Sequence, residues 1–84
     1  EIRFDAKFEI SGKIKRLEQL RGADPRVIVE LEFGLSEPRA GRLIWISSYV
    51  EEVACGNSIL SAVEAFNQAV SQIYARLVDD IRKT

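Results

Sequence analysis

The side chains that could do chemistry or grip a ligand are few. They are Cys55, the acid pairs Glu51–Glu52 and Asp79–Asp80, and the aromatic residues Trp45 and Tyr49. A thiol becomes a nucleophile or redox centre when its pKa is lowered by a neighbour. The chain has no histidine, so only backbone amides or a Lys or Arg could do that for Cys55. A structural or incidental cysteine is the simpler reading. Neighbouring helix residues point about 100° apart, so Asp79 and Asp80 do not converge on one site. Glu51 and Glu52 would point to opposite faces of a strand. Both pairs read as solvated charge rather than as an acid/base pair or a metal cage. Gly34, Gly41 and Gly56 stand alone, and nothing resembles GxGxxG or a P-loop. The expectation is therefore no catalytic residue, no metal and no cofactor. Trp45 and Tyr49 share one strand parity with Ser47 between them. They could line an apolar ligand groove or a protein interface. The alternative is that they pack under a helix.

A helix for that purpose is at hand. Between Asn57 and Ile81, apolar residues recur at Val63, Phe66, Val70, Ile73 and Leu77, one face of an α-helix. Ile59, Leu60, Tyr74, Val78 and Ile81 broaden that face. Glu64, Gln68, Gln72, Arg76 and Asp79 occupy the other side. Such a two-faced helix needs a surface to lie on. Asn57 or Ser58 can cap its start, while Ser61 with Glu64 has capping-box spacing but would start it later. At about 36 Å by its rise per residue, its far end is expected to project past the sheet or meet a partner.

The surface is read upstream. From Glu1 to Lys15, Ile2, Phe4, Ala6, Phe8, Ile10 and Ile14 alternate with charged and polar residues, the pattern of a long half-buried strand. Gly12 falls on the buried face and marks a bulge or a close approach. Leu17 and Leu20 fall out of phase, so the strand bends or ends near Gln19. RGADP, Arg21 to Pro25, is a turn by composition. Val27, Val29, Leu31, Phe33 and Leu35 alternate through a second strand, and Ser36 to Gly41 make a hairpin loop. Arg42 to Val53 is a third strand. Leu43, Trp45 and Tyr49 lie on one parity and Ile44, Ile46 and Val50 on the other. A strand apolar on both sides is expected to be covered on both sides or central in its sheet. The predicted fold is α+β, a three-stranded antiparallel meander followed by one long C-terminal helix (β-β-β-α), part of a larger sheet.

Bulk properties narrow the function. Eighty-four residues make one small domain, residues 1–84, and 46% hydrophobic content suits a folded one. The chain opens at Glu1 inside a strand pattern, so a piece of a longer protein lacking its N-terminal part is expected. Twelve Lys and Arg nearly balance thirteen Asp and Glu, and a net charge of −1 offers nothing to nucleic acid or an anionic membrane surface. The helix start NSILSAVEAF has no Lys or Arg until Arg76, which rejects a double-stranded-RNA-binding reading of the β-β-β-α order. A single cysteine excludes an internal disulfide without settling the compartment. No apolar run approaches the roughly 20 residues that span a bilayer.

Three segments together carry a resemblance. RLEQ, Arg16 to Gln19, sits late in the first strand. AGRLIW, Ala40 to Trp45, opens the returning strand of a hairpin. VEAFNQAVSQIYARLVDDI, Val63 to Ile81, forms the last helix, where an Ala-Phe-Asn-Gln-Ala run precedes Leu77 and the paired acids. The pattern resembles the auxiliary lipoprotein component of ABC-type transport systems, the envelope group that accompanies Mce-type lipid transporters and paraquat-inducible proteins. The resemblance covers most of the chain and aligns it with the C-terminal half of that domain. It implies a non-enzymatic outer-membrane lipoprotein facing the periplasm. Its partners would be Mce-type and permease subunits, with lipid as a further ligand and a homo-oligomer as the assembly. The only membrane contact implied is an N-terminal lipid anchor, and Cys55, lying mid-domain, is not that anchor. A second function, from another class, is a structural protein–protein interaction module of a cell-envelope assembly or cell-wall-synthase activator.

Overall fold

A computed structural model of the protein describes residues 8–83. Strands β1 (Glu9–Leu20), β2 (Arg26–Glu37) and β3 (Arg42–Ala54) form one antiparallel sheet in the order β1-β2-β3, and helix α1 (Ile59–Arg82) follows. The α+β order β-β-β-α read from the alternation is the architecture observed. The part of the first strand expected over residues 1–7 lies outside the described residues.

Register explains the phase change in β1. Ile10, Gly12 and Ile14 stand opposite Leu35, Phe33 and Leu31, and then the ladder slips between Ile14 and Arg16. Lys15 is the extra residue of a β-bulge, so Leu17 rejoins the front face opposite Val29. The bulge is therefore at Lys15 rather than at Gly12. Gly12 serves a close approach instead: a Cβ there would sit 3.1 Å from Cε1 of the Phe33 ring. A second slip between Leu35 and Ser36 leaves Ile44 unpaired in β3. Strand β2 runs two residues further into the hairpin than the alternation implied. The chain then turns through Pro38–Ala40 and Gly41, whose φ of 62° is left-handed backbone that favours glycine.

The helix begins where its cap allows. The Ser58 hydroxyl accepts from the Ser61 N–H at 3.1 Å, which satisfies one of the unpaired amides of the first turn. Ser58 is thus the cap, and Ser61 lies inside the first turn. The entry is pinned to the β1–β2 turn, since the Cys55 N–H donates to the Pro25 carbonyl at 3.0 Å.

The core lies between α1 and the front of β2 and β3. Val27, Val29 and Tyr49 from the sheet meet Ala62, Ala65, Ala69, Ile73 and Leu77 from the helix. This shifts the face expected from the larger residues. Ile73 and Leu77 are buried and Phe66 and Val70 half-buried, but Val63 is 48% exposed. The alanines let the helix backbone come close, so the valines of β2 are covered to zero exposure. The far end of α1 is held by the sheet rather than projecting from it: Ile81 packs against the core, and Asp80 is bonded to Tyr49.

Candidate interaction surface

The residues singled out for chemistry are scattered. Cys55 is a free thiol, half-buried against the Val27, Ala62 and Ala65 cluster. Glu52 is paired across the back of the sheet with Arg26, while Glu51 lies on the front edge and accepts from Arg76 Nη1 at 3.3 Å. Asp79 pairs with Lys83 one helical turn on, at 3.1 Å. Asp80 points the other way and accepts from the Tyr49 hydroxyl at 2.6 Å. The pairs are split, as their spacing requires. Among the described residues no three His, Cys, Asp or Glu side chains gather to hold a metal ion.

Trp45 and Tyr49 both lie on the helix side of β3. Tyr49 is only 2% exposed, so it offers almost no surface to a ligand, and Trp45 is half-buried against the same cluster. Around Tyr49 the contacts are those of a clamp between helix and strand. The Arg76 guanidinium lies over its ring at 5.1 Å and donates to the Val50 carbonyl at 3.2 Å. Burial, and then the hydrogen bond to Asp80, push the Tyr49 hydroxyl pKa above its ordinary value.

What the chain leaves open is apolar surface, on two opposite sides. On the front, α1 packs chiefly on β2 and β3. The front of β1 is left largely uncovered: Ile14 is 65% exposed, and Ile10 and Leu17 are exposed as well, as is Phe8 just before the strand. Above it stands the helix flank carrying Ile59, Val63 and Tyr74, while Leu60 and Val78, nine residues either side of Ala69, point away from the sheet; all five are exposed. The Phe33 ring joins floor to wall, stacked beside Gly12 and 6.2 Å from the Tyr74 ring. The result is an apolar trough running along the molecule. Helical spacing brings Val70 and Ile81 to the same flank, with Asn67 at its upper edge, and Glu64 and Arg82 stand beyond it, one turn on from Leu60 and Val78.

The back of the sheet is different. Lys15–Glu32 at 3.6 Å, Arg16–Glu18 at 2.8 Å and Arg26–Glu52 form a lattice of surface ion pairs. Arg16, through its hydrogen bond to Glu18, holds that carboxyl below its ordinary range, and the same bond raises the Arg16 value. Ile28, between Glu18 and Glu52 in the register, is buried beneath these long side chains. Along β3 the lattice gives way to Leu43, Ile46 and Val50, an exposed apolar stripe with Ile46 at 56%. Strand β3 is thus an edge strand, open on its back. The central strand is β2, since the sheet runs β1-β2-β3, and the apolar back of β3 stays open because the single helix covers one side of the sheet only.

Residue types did not announce the trough, since its floor and wall are 40 or more residues apart in the chain. The signal that could have found it is the breadth of the helix's apolar arc, too wide for one sheet to cover. No family model, no curated protein and no solved structure matches the chain.

Proposed function

We propose that this domain is a non-catalytic accessory component of an ABC-type, Mce-like lipid transport system of the bacterial cell envelope. In this reading it belongs to an outer-membrane lipoprotein on the periplasmic side and works by contact with Mce-type and permease subunits. The observation that carries the reading is the pair of apolar surfaces on opposite sides of the sheet, the front trough and the β3 stripe. Exposed apolar patches of this extent mark surfaces that other molecules cover. Two of them suit a component that touches more than one neighbour. The resemblance of RLEQ, AGRLIW and the last helix to auxiliary lipoproteins supports the choice of system. No helix among the described residues is long and apolar enough to cross a membrane.

Gentle extraction of the natural protein from its source membranes tests the reading. Mass spectrometry of the purified material is expected to find an Mce-type subunit together with lipid. Recovery with a cell-wall synthase and no lipid would replace transport with the envelope-assembly role.

A further inference from the structure

We infer that the free edge of β3 is a strand-pairing site held shut by Arg76, and that the strand it fits is β3 of a second copy. This goes beyond the transport reading and does not depend on it. The argument begins with the phase of the ladder. The Cys55 N–H donates to the Pro25 carbonyl, and no slip interrupts the pairing of β3 with β2 from Ala54 back to Trp45. Facing residues of an antiparallel pair exchange bonds at every second position. The odd-numbered residues of that stretch therefore bond β2, and Ile46, Ser48, Val50 and Glu52 turn their N–H and C=O groups outward. Arg76 agrees with this phase: from the helix above, its Nη1 reaches the Val50 carbonyl at 3.2 Å. It stands where the N–H of an added strand would come. Stacking on the Tyr49 ring and a 3.3 Å bond to Glu51 Oε2 hold it there. Long edge strands without proline or lysine invite pairing, and native proteins block them. Strand β3 is 13 residues long and has neither.

The edge is self-complementary. Its outward residues Ile46, Ser48 and Val50 read apolar, polar, apolar in either direction. A twofold at Ser48 sets Ser48 against its own copy and Ile46 against Val50, and each of these pairs joins groups that already point outward. Ile46 and Val50, both exposed, then touch across the back of the seam. The antiparallel direction brings the Arg42 end of each strand to the Glu51–Glu52 end of the other, whereas a parallel pair would set acid beside acid. The helices stand clear. Helix α1 packs about evenly on β2 and β3, so its axis runs over the gap between them. With strands about 4.8 Å apart, the two axes lie roughly 10 Å from each other, a distance at which helices pack. Helical spacing puts Ser61, Gln68, Gln72 and Ala75 on the flank toward the seam, with the Asp79–Lys83 pair, whose charges cancel. To open the site Arg76 gives up only the Val50 carbonyl and keeps Glu51 and the Tyr49 ring.

The test is oxidation of Ser48→Cys in a Cys55→Ser background, read beside sedimentation equilibrium of the reduced protein. Facing residues of a bonded pair are about 5.5 Å apart at Cα, a span that a disulfide bridges. Arg76→Leu keeps a stem over Tyr49 and removes the donors, so its covalent dimer is expected at micromolar concentration. With Arg76 in place the link should need on the order of 10- to 100-fold more protein, since each copy must first break one hydrogen bond. Glu52→Cys, roughly 26 Å from its counterpart by strand rise, should not link. Ser48→Pro added to Arg76→Leu removes an outward N–H that β2 does not use, and should abolish association while circular dichroism persists. A folded Arg76→Leu chain that links no better than its parent overturns the inference. So does association that Ser48→Pro leaves intact. Should Arg76→Leu fail to fold, Ser48→Cys with Arg76 in place still decides the pairing: no link at sub-millimolar concentration overturns it.

Discussion

Tyr49 shows what a single residue contributes here. Its ring is covered by α1, and its hydroxyl donates to a carboxylate 31 positions away. Hydrogen bonds to charged partners are the strong ones. Tyr49→Phe should therefore cost about 1–2 kcal/mol in urea denaturation at neutral pH. The pH dependence has a definite sign. The hydroxyl pKa is raised in the folded state, by burial first and by Asp80 second. Its contribution is thus fully present below a pH of about 10 and is lost as pH rises through the folded value. The stability gap between wild type and Tyr49→Phe should hold constant near neutrality and narrow above about pH 10. A gap that stays flat into strong alkali would show that the bond is not made. The sequence placed Tyr49 and Trp45 on one strand face, which is where they lie. It did not reveal Asp80 as the partner, because hydrogen bonds between distant elements leave no periodic trace.

At the scale of elements, alternation and helical spacing located three strands and one helix, with ends within a few residues over the described chain. Three features escaped them for physical reasons. The centre of the helix's packed face is set by Ala62, Ala65 and Ala69, and ranking by size points to their larger neighbours instead. The bulge lies at Lys15, a charged residue that a ladder can expel to solvent, while Gly12 makes room for a ring. The open back of β3 depends on how many layers cover the sheet, which no single strand encodes. The alanine face yields a prediction. Ala69 has no exposure, and Ala69→Leu should push α1 from the sheet at a cost of roughly 1–3 kcal/mol, read as a lower unfolding midpoint. A neutral or stabilising effect would mean the helix can shift without loss. The β2–β3 turn yields another. Gly41→Ala places a Cβ in left-handed backbone and should cost about 1 kcal/mol in the same assay.

For the whole molecule, one helix on a three-stranded sheet leaves β1 largely uncovered in front and β3 exposed behind. The central claim is that the stripe of Leu43, Ile46 and Val50 meets another component of a transport assembly. The most direct measurement is photo-crosslinking in the native envelope, with a photoreactive residue in place of Ile46. The account predicts an adduct with an Mce-type or permease subunit. The absence of any adduct at Ile46, from protein that is folded and present at its normal level, would contradict it.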